Sequence, residues 1–211
     1  MIIAIDGPAA SGKGTIARRL AAHFGLPHLD TGLLYRAVGA KALADHVNLD
    51  DEAALAALAG ALDPAALDPE ALKAGAVGEA ASRVAALPLV RAKLLTLQQD
   101  FARQPGGAVL DGRDIGTVIA PEAEVKLFVT ASPQARAARR HAELAARGES
   151  VTLDAVLADI LKRDQRDSGR ASAPLIRAGD AALLDTTDMN IDESWQAALA
   201  LVAAKRSGRV A

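Results

Sequence analysis

The sequence predicts an α/β fold built on a doubly wound, five-stranded parallel sheet. Five short apolar runs, at residues 2–5, 27–30, 108–110, 125–129 and 182–184, have the length and composition of buried parallel strands. Longer segments with helical periodicity separate them; in the first, predicted over 14–24, Ile16, Leu20 and Phe24 lie four residues apart on one helix face. This alternation implies that the strands end at one edge of the sheet, where such folds bind ligands.

The composition limits both the size of the fold and the classes of partner. The 211 residues are 51% hydrophobic and 2% aromatic, so we expect one domain over 1–211 with an aliphatic core. The formal net charge of -2 argues against binding to nucleic acid or to an anionic membrane, and no apolar run could span a bilayer. The sequence has no cysteine, and its four histidines lack metal-ligand spacing. The first residues lack the basic segment of a signal peptide, and we expect a cytoplasmic monomer.

Two stretches interrupt the alternation of strands and helices. The first, about 45–91, is an Ala- and Leu-rich helical region, and the second, 147–170, is dense in charge. Helix breaks in the first are predicted at Pro64, Pro69, Gly75, Gly78 and Pro88. Both stretches are predicted to be mobile flaps over the site, and the tail 205–211 is predicted to be disordered.

A glycine-rich loop joins the first strand to the first helix. It consists of Gly7, Pro8, Ala9, Ala10, Ser11, Gly12, Lys13, Gly14 and Thr15. Glycines let backbone N–H groups converge on an anion, the helix N-terminus adds partial positive charge, and Lys13 can reach the outer phosphates of a nucleotide. The alternative is an ordinary turn with an exposed lysine, which the flanking strand and helix disfavour. Since Gly14 stands where a Ser or Thr usually contacts Mg²⁺, the candidate metal contact is Thr15, largely through water and phosphate.

Polar segments follow the second and third predicted strands. The first segment contains Thr31 and Arg36, and an arginine there could bind phosphate as a bidentate fork. A helix cap followed by a surface arginine fits these residues equally well. The second segment, Asp-Gly-Arg-Asp at 111–114, could be an ion-paired turn, but its position beside the glycine-rich loop favours a binding site.

A third set of charged residues belongs to the second interruption. Arg163, Asp167 and Arg170 are spaced four and three residues apart, so a helix would place them on one face with Arg166 beside them. The spacing alone favours a solvated network of salt bridges, which contributes little per pair.

Taken in order, these motifs resemble those of bacterial cytidylate kinases. The resemblance rests on Gly-Pro-Ala-Ala-Ser-Gly-Lys-Gly-Thr, Asp-Thr-Gly-Leu-Leu-Tyr-Arg, Asp-Gly-Arg-Asp-Ile-Gly-Thr and Lys-Arg-Asp-Gln-Arg-Asp-Ser-Gly-Arg, and it covers nearly the whole chain. It implies a core like that of P-loop nucleoside triphosphate hydrolases, an acceptor-binding insertion over about 31–95 and a lid over about 147–170. It also implies transfer of the γ-phosphate of ATP to CMP or dCMP, with Mg²⁺.

The resemblance assigns roles to individual residues. The catalytic residues it implies are Lys13, Arg113, Arg163 and Arg170. The acceptor nucleotide would contact Thr31, Arg36, Ser82, Arg91, Arg113, Asp114, Arg163 and Asp167, of which Ser82, Arg91 and Asp114 would surround the cytosine. For Ser82 and Arg91, the pattern without the resemblance favours an exposed helix face. Weaker candidates for the ATP side are Arg136, Arg139 and Arg140, which a helix surface explains nearly as well.

One departure from the family and two rival functions bear on this interpretation. Residues 62–78 have little β character, whereas many members carry short extended segments there, and the difference bears on base selectivity. The rivals are a P-loop kinase for a different monophosphate and a nucleotide-dependent switch similar to a small GTPase. A switch would need a guanine-reading Asn-Lys-x-Asp segment, and neither asparagine, Asn48 or Asn190, begins one.

Overall fold

Five parallel strands form one sheet in the order β2-β3-β1-β4-β5. They are β1 (Ile2–Asp6), β2 (His28–Asp30), β3 (Ala108–Gly112), β4 (Val125–Thr130) and β5 (Ala182–Asp185). In this computed structural model, which describes residues 1–73 and 75–207, all five predicted strands are confirmed. Strands β2 and β3 lie on one side of β1, whereas β4 and β5 lie on the other. In such sheets a crevice opens at the carboxyl ends of the strands, at the point where the strand order reverses.

Helices connect the strands and account for both interruptions. Within the described residues they are α1 (Lys13–Phe24), α2 (Thr31–Ala44), α3 (Glu52–Gly60), α4 (Gly75–Val84), α5 (Pro88–Ala102), α6 (Pro133–Ala146), α7 (Leu153–Gly169) and α8 (Ile191–Arg206). Two 3₁₀ turns, Pro64–Ala66 and Ala71–Lys73, lie between α3 and α4, and one π-helical turn, Ile115–Ile119, follows β3. No helix in this part of the chain is long and apolar enough to cross a bilayer.

The central strand buries side chains on both faces of the sheet. Ile3 and Ile5 of β1 pack in one cluster with side chains of α1 and α8, whereas Ala4 packs on the other face with Ala102 of α5. All three β1 side chains are fully buried, as expected for a parallel strand covered by helices on both faces.

The two interruptions have apolar cores of their own. Helices α2 to α5 enclose a cluster that includes Leu34, Leu55 and Leu94. Helices α6 and α7 pack against each other through a smaller cluster that includes Leu144 and Ile160. The insertion, α2 to α5, and the α6–α7 hairpin are therefore helical units beside the sheet, each with its own apolar cluster.

Two local predictions were wrong. Gly78 does not break a helix but lies inside α4, where a Cβ atom would come within 3.4 Å of the Arg36 guanidinium. The tail is helical through Arg206 at the end of α8, and the Arg206 guanidinium lies 5.6 Å from the centre of the Phe24 ring. The remainder of the predicted tail, 208–211, lies outside the described residues.

Asp6 joins the end of β1 to the turn that follows β3. Its buried carboxylate accepts hydrogen bonds from the backbone N–H groups of Ile115 and Gly116, both at 2.8 Å. Burial raises the pKa of Asp6 to about 6, although the two N–H groups act in the opposite direction. Because Arg113 and Asp114 directly precede this turn, Asp6 fixes their position relative to the glycine-rich loop that begins at Gly7.

We expect Asp6→Ala to lower the free energy of unfolding by about 2 to 6 kcal/mol, because each of two buried N–H groups left without a partner costs about 1 to 3 kcal/mol. Urea denaturation would measure the loss. Asp6→Asn is the control, since its amide oxygen can still accept one of the two bonds and should give an intermediate loss. A loss below about 1 kcal/mol in Asp6→Ala would contradict the role given to this carboxylate.

Candidate active site

The glycine-rich loop leaves the N-terminus of α1 available to an anion. Gly7 must be glycine, because a Cβ atom there would lie 1.9 Å from the carbonyl oxygen of Val129 in β4. Gly12 adopts the left-handed conformation (φ 88°) at the start of α1, and so does Ala10 (φ 58°). No side chain in the described residues caps α1, so its first N–H groups are free to bind phosphate oxygens.

Lys13 is the cation of this loop. Its amine lies 3.5 Å from the carbonyl oxygen of Pro8, and no carboxylate in the described part of the chain forms a salt bridge with it. Burial lowers the pKa of Lys13 to about 8, and the charge of Arg113 lowers it as well, while Asp111 and Asp30 raise it. An anion bound in the loop would raise this pKa and so favour the charged form of the amine.

A cavity of about 150 Å³ lies between the loop, α2, α4, the end of β3 and α7. Its walls include every residue predicted to be catalytic or substrate-binding: Lys13, Thr31, Arg36, Ser82, Arg91, Arg113, Asp114, Arg163, Asp167 and Arg170. Of the rest of the loop, Ala9 and Ala10 contact the cavity, whereas Gly7, Pro8, Ser11, Gly12, Gly14 and Thr15 do not line it. The structure thus brings the residues predicted to bind the acceptor together around one space.

Buried ion pairs connect the end of β3 to α7. The Arg113 Nε donates to Asp167 Oδ2 at 2.8 Å, and Asp167 is 4% exposed. Burial acts to lower the pKa of Arg113, but the charge and hydrogen bond of Asp167, together with the charges of Asp111 and Asp30, outweigh it and raise that pKa. Asp114 likewise pairs with Arg91, and Arg170 lies 3.8 Å from the same carboxylate. The solvated network favoured by spacing alone is therefore wrong, because these pairs are buried between two elements.

The cavity carries more positive than negative charge. Six Lys or Arg side chains but three Asp side chains line it. Arg163 Nε and Arg170 Nη2 are buried without a hydrogen-bond partner within the described residues. Burial lowers the pKa of Arg163 to about 10, and the charge of Arg113 contributes to the shift. Buried donors without partners are costly, so this arrangement fits a bound anion such as phosphate.

The segment after β2 contains both a helix cap and an arginine that lines the cavity, the first from one of its two interpretations and the second from the other. Asp30 caps α2, accepting a hydrogen bond from the Gly32 N–H at 2.9 Å. Arg36 is not a surface residue, since its Nη1 donates to the carbonyl oxygen of Leu72 at 2.9 Å and it lines the cavity. Thr31 is buried and donates its hydroxyl proton to the carbonyl oxygen of Asp111, so its side chain also holds α2 against β3.

Two polar side chains that line the cavity, Asp30 and Tyr35, were missed. Asp30 was considered only as a helix cap, but burial raises the pKa of its carboxyl, and the nearby Asp111 raises it further. Tyr35 is buried under the guanidinium of Arg91, 5.6 Å from the ring centre. A signal for Tyr35 was present, because it follows Thr31 by four residues and therefore shares its helix face.

The arginines of α6 position the loop and its surroundings. Arg136 is 3% exposed, which excludes a helix surface; it forks onto Asp164 of α7 at 2.9 and 2.5 Å and donates to the carbonyl oxygen of Ala9. Arg139 donates to Thr186, whose hydroxyl lies 3.0 Å from the carbonyl oxygen of Ser11. Arg140 pairs with Glu143 at 2.9 Å. Their contact with ATP stays a prediction.

A family model described as cytidylate kinase matches residues 3–204. The chain belongs to this family. A cytidylate kinase from Xanthobacter autotrophicus is 67% identical over 209 residues, which are 99% of this chain and 100% of the relative. Another, from Rhodopseudomonas palustris strain BisA53, is 60% identical over 210 residues and 100% of both chains. A crystal structure of an uncharacterized protein from Eubacterium ventriosum covers 98% of both chains with a TM-score of 0.54 and 16% identity, a likeness that shows the fold alone.

The oxygen ligands near the loop fit the magnesium ion that the family implies only if phosphate completes the coordination. The Thr15 hydroxyl is half-buried, and its nearest donor is Arg18 at 3.5 Å. Asp111 Oδ2 lies 3.7 Å from where a Cβ atom of Gly14 would be. Within the residues described, no group of three or more His, Asp or Glu side chains is placed to hold a metal ion. Such hard oxygen donors suit Mg²⁺ bound mainly through phosphates and water.

Because positive side chains outnumber negative ones around the cavity, we expect Arg163→Met to raise the free energy of unfolding in anion-free buffer by about 1 to 2 kcal/mol. Adding inorganic pyrophosphate should stabilise the unmodified protein more than the variant, since the variant loses one cation that faces the anion. Thermal denaturation with and without pyrophosphate measures both effects. Equal stabilisation of the two proteins by pyrophosphate would show that Arg163 does not face the bound anion.

Proposed function

We propose that this member of the cytidylate kinase family transfers the γ-phosphate of ATP to CMP and dCMP, giving ADP and CDP or dCDP. The observation that carries the proposal is the cavity in which Arg36, Arg113 and Arg163 converge beside Lys13 of the phosphate-binding loop. A donor loop and an acceptor-phosphate site thus share one wall. Small-molecule nucleotides are the proposed partners.

The loop would hold the phosphates of ATP. The uncapped N–H groups of α1 would bind phosphate oxygens, and Lys13 would neutralise charge that develops on the bridging oxygen as the bond to the γ-phosphorus breaks. Arg136 fixes the loop through Ala9, so the backbone donors are held in place before ATP arrives. Mg²⁺, when bound with ATP, would supply further charge neutralisation, and Thr15 and Asp111 are the side chains of this chain that would help to hold it.

The acceptor would be held by the arginines opposite the loop. Arg36, Arg113 and Arg163 would orient the acceptor phosphate so that one of its oxygens attacks the γ-phosphorus in line. No protein nucleophile is required, because a phosphate oxygen is already ionised at neutral pH. Arg170, whose Nη2 forms no hydrogen bond within the described residues, would donate to the transferring group, and a transition-state arginine can contribute about 10³- to 10⁵-fold in rate.

The far end of the cavity would read the base and the sugar. Ser82, Arg91 and Asp114 are all buried there, and together they offer a hydroxyl, donors and an acceptor. A cytosine ring presents an amine and an adjacent acceptor nitrogen, which such a set can match. Asp167 would accept from the sugar while it keeps its bond to Arg113.

Nucleotide entry requires the cavity to widen. Its volume of about 150 Å³ is smaller than the roughly 300 to 1,000 Å³ typical of sites for small organic ligands. The α6–α7 hairpin and the insertion would therefore separate to admit CMP and close over it. Closure would exclude water, which would otherwise accept the phosphoryl group.

The test of this function is a profile of acceptors. ADP release from ATP and Mg²⁺ should be fast with CMP and dCMP and slow with UMP, AMP, GMP or no acceptor. Fast turnover with a different monophosphate instead would support the rival kinase. Hydrolysis that is independent of any acceptor would support the nucleotide-dependent switch.

We expect kcat/KM for ATP to fall about tenfold per pH unit above a pH of about 8, because the phosphates of ATP bind the charged form of Lys13 and its pKa is about 8. Measuring kcat/KM for ATP from a pH of about 7 to about 9.5 would cover roughly one unit or more on either side of this pKa. Lys13→Met should lose about 10²- to 10³-fold in turnover and show no such decline. A flat profile in the unmodified enzyme would contradict the assignment.

Lys13 is a cleaner target for this experiment than Arg113. Lys13 forms no salt bridge within the described residues, so its removal leaves no carboxylate without a partner. Arg113→Ala would strip the buried Asp167 of its hydrogen-bonded partner, and breaking a buried pair in this way costs about 3 to 5 kcal/mol.

A further inference from the structure

Outside the cavity, α7 meets α4 through a charged contact. Arg166 of α7 donates to the carboxylate of Glu79 on α4, from Nη2 at 2.8 Å and from Nη1 at 3.3 Å. Lys162, one turn earlier on α7, lies 3.7 Å from the same carboxylate. Although burial acts to raise the pKa of Glu79, its bonds and charge contacts with Arg166 and Lys162 lower it. Both cations therefore hold the lid helix against the insertion.

Arg166 makes one contact that Lys162 does not make. Its Nη1 donates to the Ser82 hydroxyl at 2.5 Å. Ser82 is 3% exposed and lines the cavity, whereas Arg166 lies behind it in an open groove and does not line the cavity. One guanidinium thus joins the outer surface of the lid to a side chain proposed to contact the base.

The contact limits what the Ser82 hydroxyl can do. A serine hydroxyl has one proton to donate and two lone pairs that accept, and Arg166 occupies one lone pair with a charge-assisted bond. No protein atom among the described residues accepts the Ser82 proton, so that proton is available to a ligand. A cationic donor also polarises the hydroxyl and strengthens it as a donor in turn.

We propose that Arg166 is a positioning residue for base selection, acting through Ser82. By holding Ser82 as a donor, it favours a base that presents an acceptor at this point, as N3 of cytosine does. A base that presents a donor there, as the N3–H of uracil does, meets a second donor and is disfavoured. The inference rests on the proposed function, and it makes base selection depend on the lid, because Arg166 reaches Ser82 only when α7 lies against α4.

Arg166→Met tests this inference, with Lys162→Met as the matched control. Both variants remove one cation that pairs with Glu79 from the same helix, but only the first removes the bond to Ser82. Measured as kcat/KM with CMP and with UMP at saturating ATP, the CMP-to-UMP ratio should fall about tenfold in Arg166→Met. The ratio should be unchanged in Lys162→Met. Circular dichroism would establish that both variants fold.

A second comparison isolates the path through Ser82. Ser82→Ala should lower the CMP-to-UMP ratio, and adding Arg166→Met to it should lower the ratio no further. An equal loss with both acceptors in Arg166→Met, or a further fall in the double variant, would overturn the inference and leave Arg166 as a lid contact. Failure of the unmodified enzyme to phosphorylate CMP would instead overturn the proposed function itself.

Discussion

The geometry of the site depends on the buried ion pair between Arg113, directly after β3, and Asp167 of α7. The pair sets the distance between the sheet and the lid helix, and it therefore decides where the neighbouring arginines can lie. A buried pair is costly unless both partners are well bonded, and breaking one side is worse than losing both. The same pair keeps Asp167 ionised, because Arg113 and Arg163 lower the pKa of its carboxyl against the effect of burial. Stability and the geometry of the cavity are thus set by the same atoms.

The surplus of cations around the cavity destabilises the protein without ligand and favours the binding of an anion. Burial and the charge of Arg91 lower the pKa of Arg170, and burial lowers that of Arg36, so each guanidinium is less favourable in place than in water. A phosphate reverses the sign of these effects because it supplies the opposite charge in a site that excludes water. Sites that are strained without ligand and relieved by it are common in enzymes.

The sequence predicts the sheet well because each strand is a local signal, a short apolar run beside a turn. It also predicts the loop and the placement of Arg36 and Arg113 beside it, since their motifs are contiguous, whereas the pattern alone favours solvated positions for Arg91 and Arg163. It does not predict that Arg136 is buried, because that depends on α7 supplying Asp164 from the other side of the hairpin. For the same reason the sequence does not predict the bond from Arg166 to Ser82. The two residues are 84 positions apart on different helices, and helical spacing relates only residues of the same helix. The prediction of a helix break at Gly78 was wrong because glycine is a general helix breaker in sequence, whereas Gly78 packs inside α4 beside Arg36.

The α6–α7 hairpin has a mechanical consequence. It holds itself together through its own apolar cluster, against which Ala10 of the loop also packs, and through the fork between Arg136 and Asp164. Its bonds to the end of β3 and to α4 come from the last turns of α7, beside the start of α6, and Arg147 adds a contact with Glu70 at the end of α6. A force applied at Asp167 would therefore turn the hairpin as a stiff lever about the start of α6 instead of unwinding α7. Such a lever converts a small displacement of an arginine by a ligand into a large opening at the outer end of the lid.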